Sequence, residues 1–196
     1  MGRIVVTEFV SLDGVMEDPG GAEDYKYGGW TFEIERGEDG NRFKLDETNA
    51  TEALLLGRRT YEGFAEAWPK REGEFADKFN EMPKYVVSST LGEPEWQNTT
   101  VLSGDLAEEV NQIRESTDGD VVVHGSAQLV QGLIERDLVD ELNLRLYPVV
   151  VGDGLRLFPE HGQTHNLELV ESRSTPTGVM LQTFRPAGRA TFGTAG

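Results

Sequence analysis

Residues 120–158 read DVVVHGSAQLVQGLIERDLVDELNLRLYPVVVGDGLRLF, and the order of patterns within them decides the fold. Val121, Val122 and Val123 form a short β-branched run, the signature of a buried strand. His124-Gly125-Ser126 breaks the run and a helical pattern follows. Leu129, Leu133 and Ile134 share one face of a helix expected to end near Asp137. Ser126 stands where an N-cap is expected, its hydroxyl able to accept from unpaired N–H groups of the first turn. A glycine turn between a buried strand and a helix start aims free N–H donors and a positive dipole end at one point. Gly125 and Ser126, leading into Ala127, are therefore the expected phosphate seat. Next, Leu142, Leu144 and Leu146 alternate with Asn143, Arg145 and Tyr147, the period of a half-buried strand. Pro148 to Gly154 closes the unit with an apolar run and a Gly-Asp-Gly turn.

The rest of the chain sets bounds on this unit. A length of 196 residues suits one domain, expected over 1–186 with a flexible tail over 187–196. Lys and Arg total 18 against 35 for Asp and Glu, a formal charge of −17. Such a surface repels phosphate backbones and anionic lipid, so neither nucleic acid nor membrane is expected as a partner. An anionic ligand would need its few cations gathered locally. Without cysteine there is no disulfide, thiolate nucleophile or cysteine-held metal. His161 and His165 are spaced i, i+4, but Pro159 and Gly162 argue against a helix there, so no metal site is expected. Met1 to Val6 enters a strand directly, with no signal-peptide pattern, and the cytoplasm is the expected location.

In chain order, Arg3 to Val10 reads as the first strand, followed by a Ser11-Leu12-Asp13-Gly14 turn. Residues 17–30 are rich in glycine, acids and tyrosine, and read as a lid in which Tyr27 and Trp30 are the candidate substrate contacts. A helix is expected within Asp39–Thr51, among acidic residues (Glu33, Glu35, Glu38, Asp39, Asp46, Glu47) that read as a solvated face. Ala53 to Leu56 is a buried strand running into Gly57-Arg58-Arg59-Thr60 at a helix start. Gly57 allows close backbone approach, Thr60 offers a hydroxyl, and adjacent arginines suit two-pronged phosphate contacts. Lys84 to Val87 is a further strand, ending at Ser88 and Ser89. Ligands of open α/β sheets sit at such C-terminal strand ends. Asp105, with Glu108 three residues on, marks a capping box for a helix buried through Leu106, Val110 and Ile113. Two late strands, Leu167–Ser174 and Val179–Arg185, are joined by a Pro-Thr-Gly hairpin turn.

Gly-Ser, the leucines, Leu-Val-Asp-Glu-Leu, Pro-Val, Gly-Asp-Gly and Leu-Phe together resemble the reductase domain of bifunctional riboflavin-biosynthesis deaminase-reductases. They are equally similar to the small stand-alone proteins grouped with that domain and with dihydrofolate reductase. The resemblance implies a three-layer α/β/α domain around a mixed, mainly parallel sheet of about eight strands, and the element order agrees. It implies NADPH as cofactor, held by Gly57, Arg58, Arg59, Thr60, Ser88, Ser89, Gly125, Ser126 and Ala127, with the serine pair at the 2′-phosphate. It places Asp13 beside the nicotinamide and substrate as the candidate catalytic residue. It also implies a homodimer, expected to form through Leu142–Tyr147 and Val149–Val151. The implied activity is hydride transfer to a small pterin- or pyrimidine-like heterocycle or a carbonyl compound. A dinucleotide-binding module without turnover is the alternative. No residue stands out as the proton source.

Overall fold

The computed structural model describes residues 1–35 and 37–192. In chain order it has β1 (Arg3–Ser11), α1 (Gly37–Ala50), β2 (Thr51–Gly57), α2 (Arg58–Ala67) and α3 (Glu74–Glu81). These are followed by β3 (Lys84–Val87), β4 (Thr99–Leu102), α4 (Leu106–Ser116), β5 (Asp120–His124), α5 (Ala127–Glu135) and β6 (Glu141–Tyr147). The hairpin β7 (His165–Ser174) and β8 (Met180–Arg189) completes it. The sheet runs β4-β3-β2-β5-β1-β6-β8-β7. Neighbours are parallel from β4 to β6, and β8 pairs antiparallel with both β6 and β7. This is the mixed eight-stranded α/β sheet that the sequence pattern implies.

Strand period two divides the core. Ala53 and Leu55 of β2 pack with Val121, Val123, Ile4 and Val6 beneath α4 and α5, where Val110, Ile113, Val130 and Leu133 meet them. Leu54 and Leu56 point the other way, against Tyr61 of α2, Phe79 of α3, Val86 and Trp96. All four β2 side chains are 2 % exposed or less. A fully buried leucine contributes about 1.5–3 kcal/mol, so β2 alone strongly favours this two-sided burial. Asp105 caps α4, its carboxylate accepting from Ala107 and Glu108 N–H as expected of the first half of a capping box. Glu109, rather than the expected Glu108, reaches back, accepting from Gly104 N–H at 2.9 Å and not from the cap residue itself.

Three expectations change. The Leu142–Tyr147 strand, expected to lie at the assembly edge, is β6, covered by β1 on one side and β8 on the other. The sheet edge at that end is β7. Second, β8 continues to Arg189, which pairs with His165, so the tail expected from residue 187 begins inside a strand; residues 193–196 lie outside the described ones. Third, Trp30 is core rather than lid. It is 5 % exposed and packs edge-on against Tyr147 at 5.6 Å, donating Nε1–H to the Glu17 carbonyl at 2.9 Å.

Candidate active site

The C-terminal ends of β1, β2, β3 and β5 open on one cleft of about 1860 Å³, and two helices begin at its wall. Gly57 ends β2 directly before α2, and His124 ends β5 with two residues, Gly125 and Ser126, between it and α5. The two turns are stitched together. Gly57 N–H donates to Ser126 Oγ at 2.9 Å, Ser126 Oγ donates to the His124 carbonyl at 3.0 Å, and Ser126 N–H donates to Thr60 Oγ1 at 3.0 Å. Gly125 (φ +56°) and Ser126 (φ +60°) are both left-handed, which turns the chain sharply into α5. A Cβ at Gly125 would lie 3.0 Å from Thr60 Oγ1, besides its strained φ. Ser126 therefore occupies the N-cap position without capping by its side chain; its hydroxyl joins the two turns instead. Neither α2 nor α5 has a side-chain cap or an acidic residue in its first turn. Their leading N–H groups and positive dipole ends thus face the cleft with no acidic residue in either first turn.

The sequence-derived cofactor residues gather here. Gly57, Arg58, Arg59, Thr60, Ser88, Ser89, Gly125, Ser126 and Ala127 all line this cleft. Arg58 is half exposed and pairs with Glu62 at 3.0 Å. Arg59 reaches across the mouth to Glu23 at 3.1 Å and Glu17 at 3.5 Å, tying α2 to the loop after β1. Ser88 Oγ accepts from Thr90 and Leu91 N–H, which holds the turn after β3. Phe64, Trp68, Phe75 and Phe79 of α2, α3 and the turn between them give the cleft an aromatic wall. Trp68 and Phe79 lie 4.6 Å apart between ring centres, tilted by 34°, and Phe75 stacks on Phe79 at 4.8 Å.

The candidate substrate-side residues lie elsewhere. Asp13 is outside the cleft lining. Its carboxylate accepts from Ser11 Oγ at 2.6 Å, Val151 N–H at 3.1 Å and Gly152 N–H at 2.8 Å, and so fastens the first turn to the Val149–Gly154 loop. Partial burial pushes its pKa up, but these donors outweigh that and hold it at about 2. Tyr27 stands exposed, edge-on to Tyr25 at 5.8 Å, and does not line the cleft either. From the same loop, Glu17, Glu23, Thr31, Phe32 and Ile34 do.

Beneath the cleft lies a charged floor that the sequence did not reveal. Lys44 of α1 donates to Glu47 Oε2 at 2.9 Å and contacts the His124 ring at 3.3 Å (Nδ1) and 3.5 Å (Nε2). Arg145 of β6 donates to Glu47 at 3.0 Å and to Thr7 Oγ1. Glu8 of β1 accepts from Gly125 N–H at 3.1 Å through one oxygen, while its buried Oε1 has no hydrogen-bond partner. Burial raises the Glu8 pKa well above the usual value, against Gly125, Lys44 and Arg145. Burial also pushes Glu47 up, but Lys44 and Arg145 prevail and hold it at about 2. Burial drives Lys44 down to about 8, against the pull of Glu47. Burial, aided by Lys44, drops His124 well below its ordinary value, which leaves it neutral. The one available signal was the polar alternation of β6. Asn143 and Arg145 read as a solvent face, yet they are 8 % and 3 % exposed because β6 is interior.

Comparison with known proteins adds the family. The model of the RibD C-terminal domain matches residues 3–181. YyaP of Bacillus subtilis (strain 168), an uncharacterized protein, is 30 % identical over 183 residues, covering 91 % of this chain and 92 % of its own. A pyrimidine reductase-like protein from Corynebacterium diphtheriae shares the fold with a TM-score of 0.66 at 12 % identity, covering 94 % of this chain and 92 % of that one. Dihydrofolate reductase from Enterococcus faecalis, solved with NADP(H), shares it with a TM-score of 0.60 at 17 % identity, covering 95 % and 97 %.

Proposed function

Because this chain belongs to the RibD C-terminal domain family, a reductase-type family, we propose that it is an NADPH-dependent oxidoreductase acting on a small heterocyclic or carbonyl substrate. The observation that carries this reading is the joined pair of helix starts, α2 and α5, whose uncapped N–H groups face one cleft. A pyrophosphate suits that arrangement: oriented donors, two dipole ends and no fixed carboxylate in either first turn. The notch at Gly125, which a Cβ would fill against Thr60, fits a backbone that must be approached closely.

In this reading Gly57, Thr60, Gly125, Ser126 and Ala127 hold the phosphates, while Arg58, Ser88 and Ser89 receive the 2′-phosphate. The cofactor would supply the hydride; the chain supplies position, shelter and a proton. The aromatic wall of Phe64, Trp68 and Phe79 suits a planar substrate. Asp13 enters as a loop fastener rather than a reacting group.

Titration of the protein with NADPH tests this. Wild type should give saturable binding, and Gly125→Val should abolish it while the protein keeps its fold. A Gly125→Val protein with wild-type NADPH affinity would remove this turn from the site.

A further inference from the structure

We infer that Lys44 is the acid that protonates the substrate as it is reduced. This rests on the reductase reading above. Two cations, Lys44 and Arg145, share the single carboxylate of Glu47, at 2.9 Å and 3.0 Å. The groups around Lys44 come from four elements: Glu47 of α1, Glu8 of β1, His124 of β5 and Arg145 of β6. Burial favours the neutral form of Glu8, and a histidine carries no negative charge in either form, so Glu47 is the carboxylate on which both cations rely. Of the two cations, Arg145 cannot give up its proton, whereas a lysine can. Lys44 is also the one at the cleft: unlike Arg145 it is among the residues lining it, with its side chain 12 % exposed.

Glu8 spends one oxygen on the Gly125 N–H at the start of α5, the phosphate side, and its unpaired Oε1 is buried. The His124 ring braces the ammonium, and Phe79 lies 5.6 Å from that ring, which brings the aromatic wall next to Lys44.

A bound reduced nicotinamide would supply hydride to the electrophilic carbon of a C=O or C=N group, forming the new C–H bond and being oxidised itself, and the π pair would pass to oxygen or nitrogen. Lys44 gives that atom its proton as the Lys44 N–H bond breaks, is left neutral, and regains a proton from water entering the open cleft. Since burial places Lys44 at about 8, the acid form prevails below that pH and is lost above it. Turnover should therefore fall along an alkaline limb near pH 8.

Lysine side-chain NMR, with Lys44→Met to assign the resonance, reads the group without any turnover. Lys44 should titrate near 8, and Glu47→Gln should move it lower. In parallel, NADPH melting shifts and NADPH oxidation with phenanthrenequinone and with dihydrobiopterin are followed for wild type, Lys44→Met and Lys44→Arg. Lys44→Arg keeps the charge but cannot donate, and both variants should keep the NADPH shift. Both should lose about 100-fold or more in kcat, with KM for NADPH unchanged. A Lys44 resonance titrating above pH 10 overturns the proposal. Lys44→Arg turnover within threefold of wild type, with an unchanged pH profile, does so as well. A wild type without any NADPH shift overturns the reductase reading itself, and that failure shows in the melt rather than in the titration.

Discussion

Glu47 shows how much one side chain carries. It is the only carboxylate hydrogen-bonded to both Arg145 and Lys44 among the described residues, and Asn143 donates to its other oxygen at 3.3 Å. Removing its charge leaves two buried cations uncompensated. Glu47→Gln should therefore destabilise the protein by about 3–5 kcal/mol, measurable by urea denaturation; a loss below 1 kcal/mol would contradict this picture. Glu8 makes the opposite kind of prediction. Its pKa is raised by burial, so its contribution to stability is complete below the unfolded value and declines as pH rises through the folded one. Glu8→Gln keeps an acceptor for Gly125 N–H but cannot ionise. Its melting temperature should fall less between pH 5 and pH 8 than that of wild type, and an identical fall would show that the fold does not raise the Glu8 pKa. Neither residue was legible in the sequence. A glutamate in an acidic helix reads as solvated, and only its placement against Arg145 of an interior strand makes it a buried partner. The acids of the expected α1 segment looked interchangeable for the same reason.

At the scale of elements, the start of α5 was read correctly in place and incorrectly in detail. The strand-turn-helix order and the residues at the turn follow from the sequence, as does the start of α4 at its Asp105 cap. The role of the Ser126 hydroxyl does not. It was expected to cap its own helix, but it accepts instead from Gly57 N–H, sixty-nine residues earlier in the chain. No local pattern encodes such a bond. Ser126→Ala therefore removes the partner of a half-buried N–H in the other turn, costing about 1–3 kcal/mol, and loosens α2 as well as α5. Amide hydrogen exchange should show Gly57 among the sites that lose protection. Protection changes confined to α5 would return Ser126 to the role of a simple cap. The lid residues failed on another ground. Aromatic residues in a glycine-rich loop read as ligand contacts, but Trp30 spends its ring on Tyr147.

For the whole molecule, the architecture was legible because two motifs and a strand-helix alternation pointed to the same sheet, and that sheet is observed. The position of β6 within it was not, because half-buried alternation looks alike in an edge strand and in an interior strand whose polar face meets buried charges. The expected homodimer therefore moves to β7, the true edge, where Leu169 and Val170 are exposed. Light scattering should give twice the 21.7 kDa chain mass, and a monomer at high micromolar concentration would end that expectation. The net charge of −17 frames the central claim, because such a molecule has little reason to attract a dinucleotide except through a built site. Isothermal titration with NADPH and NADH is the most direct test. We predict one NADPH per chain, with NADH about ten- to a hundredfold weaker and the gap narrowed by Arg58→Ala. No saturable heat with NADPH, or equal affinity for the two, would contradict the account.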